Sequence, residues 1–203
     1  MAALKLAVLI SGRGSNLQAL IDACAGRDFP ATVALVVSTN PHAQGLARAG
    51  ACGIPTAVIE RRDHGDRDAF DQALSEAIGA HDADLVCLAG FMSIMGAGFV
   101  ARWRGRLINI HPSLLPEFPG LDTHARVLAA GVRTTGCTVH FVTAEVDAGP
   151  VIIQQTVPVD TDDTPETLAA RVLTAEHQIY PQAVRLIAEG ARGNVVSLVA
   201  GSK

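Results

Sequence analysis

The chain holds 203 residues, enough for one large domain or two small ones sharing a core. Apolar residues make up 49% and aromatics only 4%, so Ala, Val, Leu and Ile must fill the interior, which suits a parallel sheet covered by helices. The net charge of −4 with no basic run excludes a non-specific nucleic-acid binder, and no apolar stretch is long enough to span a membrane.

The first run, LKLAVLI (4–10), passes straight into a glycine loop without a cleavage-like end, so it reads as a strand and not as a signal. Further strand-like runs follow at 32–38, 56–60, 84–90 and 106–110. Helix-like stretches alternate with them at 16–25, 42–51, 66–79 and 96–103. This alternation predicts right-handed βαβ units and a doubly wound, mostly parallel α/β sheet, Rossmann-like over 1–105. The pattern then changes. Runs at 137–142 and 151–159 flank TAEVDAGP in a hairpin-like order, so the sheet is expected to become mixed in the second half, 106–190. A long helix should start at Thr164, with Pro165 in its first turn, and Pro181 should kink it. No linker divides 1–190, which reads as one domain, and a tail with strand-like VVSLV occupies 191–203. The four cysteines (Cys24, Cys52, Cys87 and Cys137) are scattered, with no C-x-x-C and no ligand spacing. A reducing, cytoplasmic setting and no metal centre are expected.

LISGRGSNLQAL places strand, glycine turn and helix in succession. Helix-start amides point outward and the helix dipole favours an anion there, though a tight βα turn would need the same glycines. Spacing alone leaves both readings open. A Walker loop lacks its Gly-Lys-Ser/Thr here, and a dinucleotide loop lacks its third small residue, where Leu17 stands. A single phosphate on the amides of Gly14, Ser15 and Asn16 fits better.

At 107–111 the strand LINIH ends in polar residues. Residues two apart share a face, so Asn109 and His111 project together at the carboxyl end of a strand, where open α/β sheets hold ligands. An asparagine amide can donate to an oxyanion, and a histidine can do so or move a proton. Hydrogen-bonded structural roles would account for the pair equally well. Asp147, in VDAGPV, is placed to reach His111, fix its tautomer and raise its pKa; ordinary turn chemistry also explains an Asp before Gly.

SGRGSN, LAGFMSIM, GRLINIHPSLLPEFPG, TGCTVHFV, VDAGPVI and ARVLTAEHQIYP occur in this order over residues 4 to 190. Together they resemble the phosphoribosylglycinamide formyltransferases, folate-dependent enzymes of purine synthesis with the formyltransferase fold. The resemblance implies that Asn109, His111 and Asp147 are the catalytic trio. It implies that Gly14, Ser15 and Asn16 hold the 5′-phosphate of glycinamide ribonucleotide and that Glu176 contacts its ribose. Arg67, Phe91, Met92, Ser93, Ile94, Asn109, Val142 and Asp147 match the folate pocket, and His140 matches a supporting histidine. Three positions depart from the pattern: Ser93 stands in place of arginine, Leu173 in place of glutamine and Glu117 in place of lysine.

The implied reaction moves a formyl group from 10-formyltetrahydrofolate, a cosubstrate, to the glycinamide amine by direct attack. Asn109 and a protonated His111 would steady the oxyanion, and Asp147 would support the ring and organise a relay water. Neither metal nor covalent intermediate is expected. The expected partners are small-molecule substrates, with the chain a monomer or a homodimer. A formyltetrahydrofolate hydrolase would usually carry an extra N-terminal domain, and a tRNA formyltransferase a basic C-terminal one. A non-catalytic folate or nucleotide-phosphate binder would not require the trio.

Overall fold

The computed structural model describes residues 3–190; the expected tail strand lies outside them. Seven strands form one sheet in the order β3-β2-β1-β4-β5-β6-β7. They span Leu4–Ile10 (β1), Ala31–Ser38 (β2), Thr56–Val58 (β3), Leu85–Leu88 (β4), Leu107–His111 (β5), Thr134–Phe141 (β6) and Val151–Pro158 (β7). The first five are parallel, and β6 and β7 are antiparallel additions at one side. The expected change from parallel to mixed thus falls after β5.

The helices are Ser15–Cys24 (α1), Gln44–Ala51 (α2), Arg67–Gly79 (α3), Ala97–Arg102 (α4), Thr123–Ala129 (α5) and Pro165–Ala188 (α6). Alternate residues of β1 serve two cores. Leu6, Val8 and Ile10 pack with α1, α2, α5 and α6, whereas Ala7 and Leu9 pack with α3 and α4. A strand buried on both faces needs such an unbroken apolar run, as LKLAVLI supplies. Trp103 packs in the second core. None of the described helices is long and apolar enough to cross a membrane.

Three local features add to or refine the expectations. First, α5 is a helix outside the stretches named above; its N-cap, Asp122, takes a left-handed conformation and makes no side-chain cap bond. Second, α6 runs through Pro181 as one continuous element, with the amide bond to residue 177 lost and that carbonyl crowded at the position where a kink is expected. Its start is as expected: Thr164 and Thr167 form a reciprocal capping box ahead of Pro165. Third, the β6–β7 connection covers 142–150, which is longer than a tight hairpin turn, and this leaves room for Asp147 to fold back over β5.

Candidate active site

The strand order reverses between β1 and β4, so the loops leaving their carboxyl ends diverge and open a crevice. On the β1 side, Gly14 caps α1 at φ +70°. A Cβ at Gly14 would stand 2.6 Å from the Cα of Gly45 in α2, so both dihedral and close approach require glycine. The first-turn amides that follow have no intrahelical acceptors. Asn16 is buried, and its Nδ2 donates to Glu176 Oε2 of α6 at 2.7 Å. Burial pushes the Glu176 carboxyl up, with the Asn16 bond pulling the other way. Gly14, Ser15, Asn16 and Glu176 are therefore brought together, but the Asn16 side chain is turned toward Glu176. Ser15 also opens onto a hollow of about 590 Å³ between α1 and α6, with Arg48 and His177 in its wall.

On the β5 side, antiparallel pairing sets Asn109 opposite His140 and His111 opposite Thr138. Asn109 Nδ2 lies 3.4 Å from His140 Nε2. Asp147 comes over both rings, 3.3 Å from His111 Nδ1 and 3.6 Å from His140 Nε2, and accepts the Gly120 amide at 2.8 Å. Asn109, His111, His140 and Asp147, drawn from three stretches of chain, thus form one cluster.

The electrostatics depart from the expectation for His111. Both ring nitrogens face acceptors, Asp147 at Nδ1 and the Phe118 carbonyl 3.0 Å from Nε2. Burial nonetheless outweighs these contacts and holds the ring below the ordinary imidazole range. The acid does not by itself raise the ring's pKa. Asp147 shows the opposite balance: burial raises it, but His140, the Gly120 amide and His111 together keep it below the ordinary aspartate range.

The loop covering His111 is held from outside. Thr138 donates to the Ser113 carbonyl and accepts the Leu115 amide, and Gln154 Nε2 donates to the Leu115 carbonyl. Phe118 and Asp147, which both contact this ring, take positive φ, a pairing of strained backbone that a packed site sustains. Glu117 is exposed, and its backbone is engaged at both ends, the amide donating to the Leu114 carbonyl and the carbonyl accepting from Ser113 Oγ. Sequence reading missed the Phe118 carbonyl, the Gly120 amide, Thr138 and Gln154. The backbone groups carry no residue signal. Thr138 could have been found from its alternation with His140 on one strand.

Of the residues matched to the folate pocket, Arg67, Met92, Ser93 and Ile94 line a cleft of about 310 Å³ with Arg61 and Phe70. Phe91 and Val142 instead pack against the second core, and Asn109 and Asp147 belong to the histidine cluster.

The formyl transferase family model matches residues 4–184. Phosphoribosylglycinamide formyltransferase of Escherichia coli (strain K12) is 47% identical over 92% of this chain and 88% of that protein. The Bos taurus trifunctional purine biosynthetic protein adenosine-3 is 51% identical over 92% of this chain, which spans only 18% of that protein's length. The crystal structure of glycinamide ribonucleotide transformylase 1 from Symbiobacterium toebii superimposes with a TM-score of 0.91 at 48% identity, covering 93% of this chain and 89% of that one. The chain belongs to the formyl transferase family and, within it, to the phosphoribosylglycinamide formyltransferases.

Proposed function

We propose that this chain transfers a formyl group from 10-formyltetrahydrofolate to the amine of glycinamide ribonucleotide, a step of purine synthesis. The observation that carries this reading is the meeting of Asn109, His111, His140 and Asp147 at one sheet edge. The glycine loop for a phosphate and the cleft at Arg67 flank that edge. Both halves of 1–190 contribute to it through one continuous sheet, which supports a single domain.

In the proposed mechanism the neutral amine attacks the formyl carbon, and the carbonyl oxygen gains charge as the nitrogen becomes cationic. Asn109 Nδ2 donates to that oxygen. His111, neutral at rest through burial with its proton on Nδ1 beside Asp147, turns Nε2 from the Phe118 carbonyl to the attacking nitrogen and accepts its proton there. The resulting imidazolium is stabilised by Asp147 beside Nδ1 and delivers the proton to the departing folate nitrogen, directly or through a water. The C–N bond to folate then breaks, leaving the formyl amide. Charge on the ring thus appears when it is needed, and no nucleophilic side chain takes part.

Gly14, Ser15 and Asn16 supply amides for the phosphate, and Glu176 faces the ribose. Arg67, Met92, Ser93 and Ile94 hold the folate tail and ring, with Phe91 and Val142 backing them. The test follows the absorbance of the formyl donor with and without glycinamide ribonucleotide. Donor consumption that requires the amine supports the proposal; consumption that ignores it makes the chain a hydrolase.

A further inference from the structure

The segment 89–96, between β4 and α4, exposes two large apolar side chains, Met92 at 74% and Ile94 at 69%. Such a loop needs ties from elsewhere to keep one shape. Two side-chain ties reach its backbone: Ser11 Oγ accepts the Met92 amide at 3.0 Å, and Asp71 Oδ2 accepts the Gly96 amide at 2.7 Å.

The second tie is unusual in its chemistry. Asp71 lies in α3 and is only 5% exposed. Its other oxygen, Oδ1, is buried without a hydrogen-bond partner among the described residues. Burial pushes this carboxyl up, against the Gly96 amide and the charge of Arg67. An apolar residue would pack α3 against the sheet without that penalty. Gly96 shows the reciprocal fit. Its backbone, at φ −72° and ψ 159°, is open to any residue, yet a Cβ there would stand 2.5 Å from Asp71 Oδ2 and 3.3 Å from Arg67 Cδ. The glycine is present for clearance. Arg67, one turn before Asp71 on the same helix face, lines the cleft with Met92, Ser93 and Ile94.

We infer that Asp71 is a positioning residue of the donor cleft: its buried carboxylate, through the Gly96 amide, sets the distance between Arg67 on α3 and the Met92–Ile94 lip. Naming the occupant as the formyl donor rests on the proposed function; the clamp itself does not.

The experiment uses the full chain with Asp71→Ala, Asp71→Asn and Gly96→Ala, read by steady-state kinetics and by amide hydrogen exchange over 90–96 without ligand. Asp71→Ala should raise the KM for the formyl donor about tenfold, the size of a lost charged hydrogen bond. It should also speed exchange in the segment, while KM for the ribonucleotide and kcat at saturating donor stay near their starting values. Asp71→Asn keeps an oxygen for the Gly96 amide and should restore both readouts. Gly96→Ala, which leaves Asp71 in place, should reproduce the alanine result. An unchanged donor KM or unchanged exchange in Asp71→Ala overturns the inference. So does a rise shared by both KM values, a fall confined to kcat, or failure of both Asp71→Ala and Gly96→Ala to fold. If the unaltered chain shows no transfer, the proposed function falls, and the exchange data still decide the clamp.

Discussion

The loop after β1 and the loop after β5 leave one edge of the same sheet, yet they are shaped by different means. At 11–16 the path follows mainly from backbone, through left-handed Gly14, the start of α1 and the close approach of Gly45, with Arg48 and Asn40 adding side-chain ties to the Arg13 and Ser11 carbonyls. At 112–122 the path is imposed from outside, by Thr138, Gln154 and the Asp147 carboxylate on the Gly120 amide. A loop shaped by its own backbone ties ligand binding to fold stability. A loop held by distant side chains lets chemistry change while the fold persists.

The sharpest way to break this contrast is Asp147→Asn. It removes the charge shared by His111 and His140, and kcat should fall by about 10³-fold, within the usual range for proton-transfer groups, while the thermal midpoint at neutral pH should fall by no more than the carboxylate's own acid-linked contribution. A near-normal kcat would show that the second loop's charge is idle. Asn109→Ala should lower kcat by about 10²–10³-fold, as for one lost oxyanion donor, with little change in either KM; a purely KM effect would reassign Asn109 to binding.

The first loop should behave in the opposite way. Gly14→Ala meets both a left-handed backbone and the Gly45 Cα, so urea unfolding should show a loss of about 2–4 kcal/mol, together with a raised KM for the ribonucleotide. Stability retained with KM raised would uncouple what the comparison joins.

Acid should act mainly on the second loop. His111 stays neutral in the fold below the pH at which the unfolded chain would protonate it. Its stability contribution is therefore complete above about pH 6.5 and declines as pH falls below that point. Asp147, depressed in the fold, contributes fully above the ordinary aspartate range and is lost as pH falls through its lower folded value. Thermal midpoints should drop in two stages on acidification, and His111→Asn should shrink the first, which His124 and His177, also lowered by burial, share. The smallest effect belongs to half-buried Leu173 on α6. Leu173→Gln should lower KM for the ribonucleotide a few-fold, about one hydrogen bond's worth; an unchanged KM would place position 173 outside the ribonucleotide site.

The elements that announce themselves locally were readable before any coordinates. LKLAVLI followed by a glycine turn, the Thr164–Pro165 helix start, and Asn109 with His111 two apart on a strand each follow from steric or periodic rules acting over a few residues. The motif order was sufficient to suggest the family. Tertiary structure alone decided the rest. It paired His140 with Asn109 across two strands, brought Asp147 back over His111, and turned Asn16 toward Glu176. It also decided the state of the imidazole: an acid within reach of the ring suggests a raised pKa, but desolvation depends on everything packed around the ring, including carbonyls and amides that belong to no residue type.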